Sequence, residues 1–141
     1  MAKYVDSNGL KEAFKIIKEN TLSADDTVTA TTGLNITSAN NVSKSVSASS
    51  NTNLWTSSAT YTDNVLVNAT VTFPNTGGSV RSVRINGTEY SRAYPSGTGA
   101  TIVTVTKILN LASATNISIN VTHNATSAMT VTLNNVSIVQ L

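Results

Sequence analysis

Thr101-Ile-Val-Thr-Val-Thr-Lys-Ile-Leu-Asn-Leu111 alternates apolar and polar side chains almost without a break. Successive side chains of an extended chain point to opposite faces, so a period of two marks a strand with one face toward a core. The same alternation runs through Asn116-Ile-Ser-Ile-Asn-Val-Thr122 and Met129-Thr-Val-Thr-Leu133, and returns in Val136-Ser-Ile-Val-Gln-Leu141. Between Leu133 and Val136 the apolar parity switches, which predicts a β-bulge at Asn134-Asn135.

Working backward, Leu54–Tyr61 and Asn64–Phe73 read as two further strands. The second carries Val65, Val67, Ala69, Val71 and Phe73 on one face. Tyr61-Thr-Asp-Asn64 between them has turn composition, and so does Pro74-Asn-Thr-Gly-Gly78. Ser79–Asn86 places Arg81, Val83 and Ile85 on one face and Val80, Ser82 and Arg84 on the other. Asn86-Gly87 is a hairpin signal, returning through Thr88–Ala93 into the loop Tyr94-Pro-Ser-Gly-Thr-Gly99. Asn40–Asn53 is nearly all Ser, Asn, Thr, Ala and Val, and reads as an edge strand or a surface loop. About eight strands result, the number of an antiparallel jelly-roll sandwich. A helix-capped immunoglobulin-like sandwich is the competing fold.

The N-terminal end differs. Residues 6–20 read as a helix, capped by Asp6 or Ser7, with Leu10, Ala13, Phe14 and Ile17 in one apolar stripe. So short a helix needs a partner for that stripe. Residues 1–26 hold nine of the sixteen charged side chains, which sets them apart from the rest. The expected organisation is an attachment helix at 1–22, a linker with short β segments at 23–41, and a β head domain at 42–141.

Composition narrows the function. Thr, Ser and Asn number 23, 18 and 17 among 141 residues, and only 11% are charged. A net charge of +2 is too small for an electrostatic footprint on nucleic acid. The chain has no Cys, so disulfides and thiolate metal sites are excluded. Met1–Asp6 carries no apolar run of a secretory leader, and no run of about eighteen apolar residues occurs. Neither a leader nor a membrane-inserted helix is expected.

The order of these pieces resembles the trimeric C1q/TNF-like jelly-roll heads of phage fibres and receptor-binding proteins. The matching pieces are Thr70-Val-Thr-Phe73, Pro74-Asn-Thr-Gly-Gly78, Val80-Arg-Ser-Val-Arg-Ile-Asn-Gly87, Asn116-Ile-Ser-Ile-Asn-Val-Thr-His123 and the Leu133–Leu141 pattern. Lys3-Tyr-Val-Asp-Ser-Asn-Gly-Leu10, leading into a Lys-rich helix, is similar to the start of many fibre subunits. These often carry Trp where this chain has Ala13-Phe14. The resemblance implies a homotrimer, attached through residues 1–22 to other virion proteins, with an exposed head that takes a host-surface glycan. It implies a place on the surface of a particle assembled in the host cytoplasm.

Little in the chain points to catalysis. His123 is the only histidine, and a nucleophile–base pair or zinc set would need partners around it. A surface position at a strand end is its expected place. Asp63 and Glu89, the only carboxylates of the β region, are the minimum for a glycosidase pair, and neither sits in a recognisable motif. Asp25, Asp26 and Asp6 lack the spacing of a calcium loop. No catalytic residue, cofactor or metal is expected. Tyr90, Arg92 and Tyr94, beside a Gly-rich loop, form the expected ligand rim, since sugars stack on aromatic rings and arginine binds anions. Arg81 and Arg84 point to opposite faces, and one is expected to pair with Glu89 across the hairpin. The reading is a non-enzymatic virion fibre subunit that mediates host attachment. The alternatives are a decoration or adaptor protein without ligand, a glycan-degrading fibre enzyme and a bacterial surface adhesin.

Overall fold

The computed structural model describes residues 36–74, 80–95 and 99–141. They form one six-stranded antiparallel sheet: β1 (Ile36–Val46), β2 (Thr52–Phe73), β3 (Arg81–Ile85), β4 (Thr88–Ala93), β5 (Thr101–His123) and β6 (Met129–Gln140). The spatial order is β1-β6-β2-β5-β3-β4. No helix occurs among the described residues. The all-β antiparallel class expected from the alternation is therefore what the chain builds. The 6–20 helix, with its stripe of Leu10, Ala13, Phe14 and Ile17, lies outside the described residues. So do residues 23–35 of the linker expected at 23–41, and most of the Pro74–Gly78 turn.

Six strands, not about eight, is a correction. Leu54–Tyr61 and Asn64–Phe73 are one strand of 22 residues, and Thr101–Leu111 and Asn116–Thr122 are one strand of 23. The β2–β5 register shifts between Thr56 and Thr60 and again between Tyr61 and Asp63, so each apparent break is an irregularity inside a ladder. Asp63 does take the positive φ of 53° that its turn composition suggests. The chain nevertheless runs on, because Gln140 bridges the gap. Its Oε1 accepts the Thr62 N–H at 3.2 Å, and its Nε2 donates to the carbonyls of Thr62 and of Asn64, the latter at 3.1 Å. The undecided Asn40–Asn53 segment resolves into the end of β1, a short turn and the start of β2.

Burial follows the alternation. Val65, Val67, Ala69, Val71 and Phe73 are all fully buried, as are Val131, Leu133 and Ile138. They join Leu54, Ile117, Ile119, Val121, Val83 and Ile85 in a single cluster. A flat sheet would leave such residues wet on one side, so the two halves of the long strands must fold toward each other around one core. Polar contacts fasten the fold at its ends. The Ser49 N–H donates to the His123 carbonyl at 2.7 Å, and the Tyr61 hydroxyl meets Thr37 Oγ1.

The bulge predicted at Asn134-Asn135 is present. Asn135 pairs with Thr70 and Leu133 with Val71, leaving Asn134 as the extra residue. Its Oδ1 accepts the Thr72 hydroxyl at 2.7 Å. On the other side β1 keeps step by kinking at Asn41, whose φ is 55°. Val136 and Ile138 thereby return to the core face.

Candidate functional site

The Asn86-Gly87 turn anchors the region where chemistry is concentrated. Both residues have positive φ, 50° and 80°, as a two-residue hairpin turn with the right twist requires. The turn is tied to β5: Asn86 N–H donates to the Ser118 carbonyl at 3.0 Å, and Asn86 Oδ1 accepts the Ser118 N–H at 2.7 Å. Gly87 N–H donates to Asn120 Oδ1 at 3.1 Å. The β3–β4 hairpin is thus held rigidly against the second half of β5.

The first half of β5 has no strand on its other side among the described residues, because β3 pairs only with Ile119–His123. A cleft of about 320 Å³ opens between this edge and the hairpin. Ile85, Asn86, Thr88 and Tyr90 line one wall, and residues 107–111 line the other. A one-residue register shift between Val83 and Arg84 puts a bulge at Tyr90. The Lys107 ammonium stands over the Tyr90 ring, 5.5 Å from its centroid, within cation–π range.

Of the expected rim, Tyr90 faces this cleft and is 39% exposed. Arg92 is committed elsewhere: its Nε donates to Glu89 Oε1 at 2.7 Å and a terminal nitrogen to Oε2 at 3.0 Å. Tyr94 is 67% exposed. Arg84 reaches the same carboxylate at 3.6 Å, so the expected cross-hairpin pair with Glu89 is formed. The hydrogen-bonded Arg92 guanidinium holds the Glu89 carboxyl below the usual carboxylate range; partial desolvation opposes this, and Ser82 and Arg84 reinforce it. Glu89 in turn raises the Arg92 guanidinium. Lys107 was not among the residues singled out from sequence. The signal was there: Val103, Val105, Lys107 and Leu109 share one parity, and a charge interrupts an inward apolar stripe.

His123 is fully buried, not on the surface. Its Nδ1 accepts the Ala125 N–H at 3.2 Å, so the ring proton sits on Nε2, which donates to the Val46 carbonyl at 2.8 Å. Both nitrogens serve the backbone, and the ring works as a structural cross-link between β1 and β5. Arg81, its register partner on β3, is also buried, and burial lowers its pKa. Tyr61 belongs to the core. Asp63 sits at the β2 kink opposite Leu111. Among the described residues no cluster of three His, Asp or Glu side chains could hold a metal.

No protein-family model matches the chain, and no curated protein matches it in sequence. Among solved structures it is similar in fold to a chain of the infectious bursal disease virus Gt strain, with TM-score 0.54 and 9% identity. It is likewise similar to a chain of the T13 particle of the same virus, with TM-score 0.55 and 11% identity. Each match covers 76% of this chain, which spans about a third of the length of its counterparts (33% and 31%). At such identities the likeness establishes the β fold and nothing finer.

Proposed function

We propose that this chain is a non-enzymatic structural subunit of a virion, a homotrimeric phage fibre whose C1q/TNF-like head is carried on residues 42–141 and whose residues 1–22 attach it to other virion proteins. The observation that carries this reading is the fold likeness to chains of a viral particle, in a chain whose His123 and Glu89 are spent on structure. His123 is consumed by two backbone contacts. Glu89 is held as an anion by two arginines, the opposite of the raised pKa that a glycosidase acid requires. The exposed head takes a host-surface glycan, and many weak contacts across three heads and many fibres give avidity.

A second reading, a decoration or adaptor subunit without ligand, is favoured by the outward face of β2, β5 and β6. There Asn68 meets Thr106 at 3.2 Å, Thr70 meets Thr104 at 3.3 Å and Thr72 meets Asn134 at 2.7 Å, a polar ladder satisfied within itself. The deciding experiment is light scattering on the full chain after size exclusion. A mass of three times 14.7 kDa supports the fibre reading. A stable monomer at working concentration removes the trimeric fibre and shifts weight to the adaptor.

A further inference from the structure

We propose that the cleft between Tyr90 and Lys107 binds a monosaccharide bearing a carboxylate, as the terminal or branching residue of an acidic glycan. The inference rests on the glycan-attachment part of the function proposed above and names the sugar class.

The argument begins with the inward stripe of β5. Val103, Val105 and Leu109 are buried, and position 107 continues their face. Lys107 is exposed where its neighbours of the same parity are buried, and it lines the cleft. At about 320 Å³ it lies at the small end of ligand sites, suited to a single ring.

Charge then selects the ligand. Arg84 and Arg92 share the single Glu89 carboxylate, and neither lines the cleft. Arg81 is buried. Lys44 is bound to the Asn53 carbonyl at 2.9 Å. Lys107 has no ion pair among the described residues; the Tyr90 ring is its partner. An aromatic face steadies an ammonium without occupying all three of its N–H donors, so donors remain for a carboxylate. Around it, the exposed Ile108 and the partly buried Leu111 supply apolar surface for the C–H face of a sugar. Thr88 and Tyr90 supply hydroxyls. Asn86, whose Oδ1 is used by Ser118, keeps its Nδ2 donors. A mixed lining with one cation and no anion fits an acidic sugar better than a neutral sugar or an apolar ligand.

The test is an amide ¹H–¹⁵N NMR titration of the full chain with N-acetylneuraminate, glucuronate, galactose and acetate, each to about 50 mM, since single-sugar sites hold in the millimolar range. The expected result is shifts in Asn86–Tyr90 and Lys107–Leu111 with at least one acidic sugar, with galactose and acetate each about tenfold weaker. Lys107→Gln, with its melting temperature checked against the parent, should weaken the acidic sugar about tenfold. Silence from both acidic sugars overturns the proposal. Equal response to acetate overturns it in favour of a simple anion site. Equal response to galactose, or a folded Lys107→Gln variant that binds unchanged, removes the carboxylate contact and overturns it too. The titration does not depend on oligomeric state: a monomer that gives the shifts keeps the cleft, and a trimer without them loses only the cleft.

Discussion

The Ser57 hydroxyl lies 2.9 Å from the amide nitrogen of Ile117 and accepts its hydrogen where both are buried. The same hydroxyl donates to the Ala59 carbonyl at 2.7 Å. Opposite, Asn116 Nδ2 donates to the carbonyls of Ser57 and Ala59 at 2.9 and 3.1 Å. Two side chains thus replace the ladder bonds that the Thr56/Thr60 register shift removes, and they let β2 and β5 bend without leaving a buried donor empty. Ser57→Ala should therefore cost about 1–3 kcal/mol, the penalty of an unsatisfied buried amide, and not the few tenths of an exposed change. Urea denaturation with unchanged m would show it. A loss below about 0.5 kcal/mol would mean the bend is held by packing alone.

His123→Ala strands the Val46 carbonyl and the Ala125 N–H in a dry place and opens a cavity. A destabilisation of at least about 2 kcal/mol is expected. Amide exchange should rise first at Ser49, which donates to the carbonyl of residue 123. Uniform acceleration across the sheet would contradict a local cross-link.

At the hairpin, a Cβ on Gly87 would meet nothing within 4 Å, yet φ is +80°. Gly87→Ala should then cost about 1–2 kcal/mol through the backbone alone. Asn86→Gly keeps the turn's φ but removes the bond to the Ser118 N–H, and should cost about 0.5–1.5 kcal/mol. Thermal melts of the two variants distinguish strain from lost bonding.

Glu89 makes a pH prediction. Its folded carboxyl titrates below its unfolded value, chiefly because of the Arg92 hydrogen bond. Its contribution is therefore fully present above the ordinary glutamate range near about 4.3, and fades as pH falls through the lower folded value. The pair is exposed, so the effect is small and weakens with salt. Glu89→Gln should lower the melting temperature slightly at pH 7 and not at all near pH 2. A difference that grows on acidification would reverse the assigned sign.

The inward faces of β2, β3 and β6 were legible because parity is local. Val65 through Phe73, Arg81 with Val83 and Ile85, and the parity switch at Asn134 all followed from a period of two. Asn86-Gly87 was legible because few residue pairs accept two positive φ values in succession. Strand number was not. Tyr61-Thr-Asp-Asn64 has turn composition, and Asp63 does take a turn-like φ, but whether the chain reverses there depends on Gln140, 78 residues away. Of the expected rim, Tyr90 alone reached the cleft, and Arg92 did not because the Glu89 carboxylate on the same strand holds its guanidinium.

What the sequence by itself determined is the inward face of the apolar strands, the bulge at Asn134-Asn135 and the turn at Asn86-Gly87, since each depends on the covalent geometry of a few neighbouring residues. Only the tertiary structure decided that β2 and β5 run unbroken through both halves, that His123 is buried, and that, among the described residues, an edge stays open between Tyr90 and Lys107. These depend on partners far along the chain, and a period of two carries no information about which strand comes to lie beside which.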